Sequence, residues 1–555
     1  MRAVLILGLA FFVIPSFVVA SSEPAPLPPS PICGGVADPT PAKPAVEILA
    51  GYGTGGFDIQ TRTPRAQAFF TNGMQLAHAF AHKAATNAFA EAVKLDPDCA
   101  MCLWGEAWSR GPTINYTIER QDQAELRPLV DKAARLAGSA SPRDRMLIAA
   151  LQKRYVDGGG KGRGDYAFAR AMDEIARAYP DDNEVAIITA DAWMIPASNK
   201  ETQENLPRAV ELLEGALKRQ PNDTGAIHFY IHATEMSGFG GRAEPYADKL
   251  ATLAPSASHL VHMPSHTFYL VGRYGDALSA NQQAAKLDGA NAQRQGLTGP
   301  DGIWKLTYHA HNVQFGIGGA MMDGDGPGAL ALAKTVLDRP PSTEPDGGFA
   351  QYLLGSAYFA YGRYADRAQV LALADPGVKQ PYARAMWRYA RGEAAARAGD
   401  LAAVRAEAAQ IAVPSTDLKA FDYLRPQIGA MVSVARGVLT GRAAMLEGKP
   451  QAAAMAYRDA ALIQEKTLVR LSDPPAWWYP VRRSYAAALL ASGDPVRAEA
   501  EAEATLKRAP KDPLTLVVLS RAAAALDRKA QADQRMAQAK AGWTGAFVAP
   551  PAGLL

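Results

Sequence analysis

Apolar positions along this chain fall into two unlike patterns. A nearly unbroken apolar run from Ala3 to Val19 follows Met1-Arg2. From about residue 65 to 540, by contrast, apolar residues rich in alanine recur at helical spacing and are interrupted by glycine and proline. The interruptions keep time: Pro221 to Pro255, His228 to His262 and His232 to His266 are each steps of 34 residues. A helical chain repeating at that interval reads as antiparallel helix pairs, each burying its apolar face on the next. The predicted fold class is all-α. One elongated domain suffices, because a stack gains core with every added pair.

Small, aromatic and proline residues recur at fixed places of this period. Gly73, Ala85, Phe89, Ala92 and Pro97 mark one unit, Ala209, Ala216 and Pro221 a later one, and Ala453, Tyr457 and Ala460 one near the C-terminus. A glycine five residues before a small residue marks others: Gly238 with Ala243, Gly272 with Ala277, Gly324 with Ala329, Gly493 with Ala498. In this pattern the chain resembles the tetratricopeptide repeat (TPR) family, which implies an α-solenoid of paired helices wound into a superhelix. The resemblance covers most of residues 65–540. It is degenerate between about Thr113 and Leu206 and around Gly289 to Asp301, where loops are expected to replace the regular turn. The resulting division is a signal peptide (1–20), a proline-rich leader (21–64), N-terminal repeats (65–206), central repeats with the histidines (207–340) and C-terminal repeats with a tail (341–555).

The histidines carry the candidate chemistry. All nine lie between His78 and His311, and seven between His228 and His311: His228-x3-His232, His259-x2-His262-x3-His266 and His309-x-His311. On helices the first two groups each align along one face. In TPR proteins the first helix of each repeat lines the concave groove through fixed places. The resemblance therefore implies that His228 and His262 (fifth place), His232 and His266 (ninth), and His259 and His311 (second) point into that groove from three neighbouring helices. Glu235 and Tyr269 share the twelfth place and are the candidate catalytic residues. His309 precedes the third of these helices, His78 holds a thirteenth place, and His82 follows in a turn.

Imidazoles one helical turn apart can chelate one ion at about 2.0 to 2.1 Å per bond, with a neighbouring helix supplying the remaining ligands. His228, His232, His259, His262, His266, His309 and His311 exceed what one tetrahedral ion takes, so two ions fit, or one ion with outer histidines. Zinc and copper both suit imidazole. Export and the neighbouring Met263 tilt the choice toward copper, and a metal-dependent oxidase or hydrolase follows as one function. Its rivals are a site for metal storage or delivery, and a scaffold whose groove takes a peptide, protein or small-molecule ligand, with the histidines as contacts or as a structural metal staple.

Charge removes one class of partner. The chain has 58 basic and 55 acidic residues, a formal net charge of +3, interspersed without a basic run, which excludes a nucleic-acid patch. Val18 and Ala20 are small residues suited to cleavage before Ser21, so the first segment reads as a secretory signal and the mature chain as periplasmic or extracellular. No later stretch has the roughly 18 apolar residues of a membrane span. Cys33, Cys99 and Cys102 then meet an oxidising compartment, where a Cys99–Cys102 disulfide or a bridge from Cys33 to either is expected. Metal ligation by the pair stays open, and a thioredoxin-like role lacks its βαβ context. The run Asp473 to Arg483 is a rigid aromatic turn, or a groove wall in which Arg482 or Arg483 holds a ligand carboxylate.

Overall fold

The computed structural model describes residues 46–115, 120–156, 163–197, 205–339, 347–411, 418, 421, 424–470 and 473–555. The signal peptide, most of the proline-rich leader and Cys33 lie outside them. Helices follow one another in pairs, from Pro64–His78 with His82–Leu95 to Pro513–Ala525 with Lys529–Ala541, and there is no strand among the described residues. The fold is a TPR-type α-solenoid.

The small residues of the repeat have a visible cause. A Cβ built on Gly73 or Gly105 would lie 2.8 or 2.4 Å from the ring of Phe89, and one on Gly441 would lie 2.4 Å from Tyr457. Phe89 and Tyr457, each on a second helix, thus wedge against first helices that must be bare at that point. Gly238, Gly272, Gly324 and Gly493 all take φ of +77 to +85°, a left-handed turn that ends each first helix at low cost only with glycine.

Helix pairs also persist where loops were expected. Arg120–Leu136, Pro142–Arg154, Arg163–Ala178 and Asn183–Ala197 fill the degenerate stretch, and Tyr274–Arg294 runs through Gly289. Polar side chains help to fix the former: Arg154 donates to Asp165 Oδ1 and to the Pro112 carbonyl, both at 2.9 Å, and the Tyr155 hydroxyl donates to the Ala107 carbonyl at 3.0 Å.

The stack curls tightly. First helices of successive pairs pack in a row, and the row bends until Pro64–His78 touches Thr224–Met236. From the other half, the Tyr274 hydroxyl donates to the Pro510 carbonyl (3.0 Å) and Thr544 N–H to the Asp323 carbonyl (2.8 Å). Two large apolar cores, one from Tyr52 to Tyr308 and one from Tyr274 to Ala498, meet at the helices bearing the histidines.

Residues 46–63 form a strap without regular structure that is laid across the first helices. Thr54 N–H donates to Thr224 Oγ1 (2.8 Å) and Thr224 N–H returns a bond to Thr54 Oγ1 (2.9 Å); Ser256 N–H donates to the Gly51 carbonyl (2.9 Å). At Gly53, with φ of +95°, a Cβ would stand 2.2 Å from Thr224 Oγ1, so nothing larger than glycine fits.

Candidate metal centre

Thr224–Met236 carries His228 and His232, its start capped by Asp223, whose carboxylate accepts from Ala226 N–H. The next first helix breaks in two, Ser258–His262 and Pro264–Leu270, because Pro264 has no N–H for the helical ladder. His262 and His266, on either side of the break, still meet, and the His259 ring lies 5.6 Å from that of His262. His309–Asp323 carries His309 and His311. All seven of these histidines are buried, none more than 5% exposed.

Six of them gather as two triads. His228, His232 and His259 each offer a ligand atom within 4.8 Å of the others, and so do His262, His266 and His311. Each triad joins two imidazoles spaced four residues apart to a third from elsewhere. The triads adjoin, with ring centroids 5.5 Å apart for His232 and His266 and 5.6 Å for His259 and His262.

Outer acceptors settle which nitrogen faces inward. The His228 Nδ1–H donates to the His78 carbonyl at 2.6 Å, which leaves Nε2 with its lone pair; that atom, His232 Nε2 and both His259 nitrogens are buried without a hydrogen-bond partner. Asn281 Nδ2 donates to the Ala277 carbonyl, so its Oδ1 accepts the His262 Nδ1–H, at 2.6 Å. The His266 Nδ1–H donates to Glu235 Oε2 at 2.9 Å. With both Nδ1 atoms turned outward, the Nε2 atoms of His262 and His266 face each other at 2.9 Å. Two bare lone pairs that close would repel, so the contact calls for a proton or a metal ion between them. An ion bonded to both at about 2.0 to 2.1 Å would see them about 90° apart, while without metal a proton can serve, the His266 Nε2–H then donating to His262.

Protonation follows from the surroundings. Burial pushes His228 down to about 3 and His311 to about 4, and holds His232, His259 and His262 well below the ordinary imidazole value; neighbouring imidazoles add to the effect in the last three. For His266 burial acts in the same sense but is outweighed, first by Asp473 and then by Glu235, and the ring is raised to about 9. Five of these six rings are thus neutral and keep a lone pair to donate, and His266 is the ring that holds the proton a metal would displace.

Glu235 stands at the centre, in a third donor set with His266 and Asp473. Tyr269 does not: its ring packs on Tyr274 and Phe315 and lines a cleft with Trp477, Trp478 and Tyr479, and burial raises its hydroxyl pKa. His309 lies outside both triads, where its Nδ1–H donates to Asp288 Oδ2 at 3.0 Å. His78 pairs through Nε2 with Glu184 (2.8 Å), and His82 stacks near Phe80. Cys99 and Cys102 form a disulfide at the start of their helix. Arg482 is paired with Glu465 and Glu501, and Arg483 with Asp512, so the chain's own carboxylates hold both guanidiniums, as suits the rigid aromatic turn of the two readings of this run.

Aromatic rings wall the centre. Phe80, in a left-handed turn with φ of 54°, stacks on His232 and His259 and meets His228 edge-on; Tyr308 lies against His259, and Phe315 against His262 and His266. Asp473, Asn281, the His78 carbonyl and Phe80 all escape sequence reasoning at this centre, since none shares the histidine register.

No family model matches the sequence, and no curated protein matches it. Similar solved structures include a human IFIT1 dimer with m7Gppp-AAAA (13% identity, TM-score 0.30, 87% of this chain and 91% of that one) and yeast Tom70 (13%, 0.25, 86% and 90%). The P58(IPK) TPR domain is another (12%, 0.19, 63% and 92%). Superposition at these scores carries no functional argument.

Proposed function

We propose that this is an exported metalloprotein whose solenoid interior holds two neighbouring transition-metal ions, copper by preference and zinc otherwise, each on three imidazoles. The observation that carries the reading is the pair of facing Nε2 atoms of His262 and His266, 2.9 Å apart with both Nδ1–H groups held by outer acceptors. Fixing the far nitrogen of a ligand histidine with a carbonyl, amide or carboxylate is how metal sites set tautomer and ring direction. Three protein ligands per ion leave a coordination position open, which suits a catalytic centre better than a storage site. A bound ion there would act on oxygen or on a hydrolysable bond, while Glu235 and the His266 it orients hold a proton beside it.

A peptide-binding scaffold is the weaker alternative, because the inner face it needs is taken up by the strap 46–63 and by the aromatic wall. No helix among the described residues is long and apolar enough to cross a membrane. Elemental analysis of protein purified from its native compartment tests the proposal: two ions per chain are expected, falling to one in H228A/H232A and to one in H262A/H266A. A coupled copper pair would also give less EPR signal than two isolated Cu(II) ions. Metal-free protein that takes up neither copper nor zinc would refute the reading.

A further inference from the structure

A buried pair of sites raises the question of how a hydrated ion reaches it. The six triad histidines are at most 5% exposed, and Phe80, Tyr308 and Phe315 cover them. The third donor set is different. Glu235 and Asp473 have side chains 14% and 26% exposed, and with His266 they bring ligand atoms within 4.8 Å of one another.

His266 belongs to both sets and turns a different nitrogen to each. Its Nδ1 faces Glu235 Oε2 at 2.9 Å and Asp473 Oδ1 at 3.4 Å, while its Nε2 faces His262 in the second triad. The same Asp473 oxygen lies 3.5 Å from His311 Nε2. One carboxylate therefore touches two of the three rings of the second triad from the solvent side. Beyond it, contacts between His232 and His266 and between His259 and His262 lead on to the first triad.

We infer that Glu235 and Asp473 form a capture site for a hydrated divalent transition-metal ion, which passes from these oxygens through His266 into the second triad and then the first. This rests on the two-ion reading above. The chemistry runs in a consistent order: paired carboxylates draw a cation and exchange for its waters readily, and imidazoles hold copper or zinc more firmly once the ion is desolvated. Asp473 can serve both stages because it comes from a loop, not from the rigid helices that fix the histidines. That loop is tied down just beyond by Arg482 to Glu465 and Arg483 to Asp512. Glu235, on the last turn of its helix, stays in place as the acceptor for His266.

The test is metal uptake by the chelator-treated full chain, with Co2+ followed by the stopped-flow absorbance of its d–d bands and Zn2+ by its transfer from a chromophoric chelator. The E235Q/D473N variant, in which the amide oxygen at position 235 can still accept from His266 Nδ1–H, should load at least tenfold more slowly than wild type yet reach the same two ions per chain at saturating metal. D248N, which removes an exposed carboxylate paired with Arg273, should load at the wild-type rate. Equal rates in wild type and E235Q/D473N would overturn the inference while leaving the two-ion reading intact. A fall to one ion in that variant would also overturn it, because the carboxylates would then be permanent ligands. A wild type that binds no ion removes both readings.

Discussion

Acid should unfold the metal-free protein well above the pH range in which carboxylates titrate. His228 is held near about 3, His82 and His311 near about 4, and His232, His259 and His262 well below 6.5, burial being the first cause in all six. In the unfolded chain each accepts a proton as pH falls through 6.5, whereas in the fold it stays neutral until its depressed value is reached. Their contribution to stability is therefore complete above 6.5 and is lost progressively below it. One pH unit below 6.5 costs about 1.4 kcal/mol per group, so the six together lose on the order of 8 kcal/mol at pH 5.5. That is comparable with the roughly 5–15 kcal/mol by which folded domains are stable. His266, raised to about 9, has the opposite sign. Its contribution is complete below 6.5 and fades as pH rises through 9, which returns about 1.5 kcal/mol between pH 7.5 and 5.5. Urea unfolding followed by far-UV circular dichroism in the presence of a chelator, at pH 7.5, 6.5 and 5.5, should show the midpoint falling steeply. His259→Phe, which keeps a flat ring against Phe80, should reduce the loss from pH 7.5 to 5.5 by about 1.4 kcal/mol. An equal midpoint at pH 7.5 and 5.5 would refute the assignment of neutral, buried imidazoles.

Asn281→Leu takes the acceptor from the His262 Nδ1–H; metal affinity at the second triad should fall about 10- to 100-fold, with the first triad unchanged, as read by competition with a chromophoric chelator. Arg483→Met leaves the buried Asp512 carboxylate without its cation and should cost about 3–5 kcal/mol. Most of that should return in R483M/D512N, which removes the charge yet keeps an oxygen to cap Pro513–Ala525, and urea midpoints of both variants check it.

The period of the fold was open to reading because sterics enforce it: Phe89 and Tyr457 demand glycine opposite them, and the turn glycines demand left-handed φ. His228, His232, His262 and His266 were legible for the same reason, being locked to that period. What the period does not reach stayed hidden. Asp473 arrives from a loop more than 150 residues beyond His311 because the stack curls back on itself, and His78 offers its carbonyl to His228 across 150 residues by the same curl. The division of the histidines into two triads follows which neighbouring first helix each ring meets, that of His228 and His232 for His259 and that of His311 for His262 and His266, which the register alone does not fix. His309 shares the spacing of the cluster but answers to Asp288, a partner that no spacing rule announces.

The strap has a consequence for how the chain acquires its fold. Repeat proteins ordinarily fold by neighbour contacts, so any few units can form alone and growth proceeds in either direction. Here Thr54 bonds to Thr224 across 170 residues and Arg294 to the Tyr52 hydroxyl across 242, distances more typical of a knitted globule than of a stack. High contact order slows folding and couples distant units into one cooperative event. The earliest residues to emerge must wait for helices made much later, and the interior stays unsealed through that interval. In the proposed metalloprotein an ion supplied during maturation would meet open histidines, whereas one supplied afterwards would have to enter past Glu235 and Asp473.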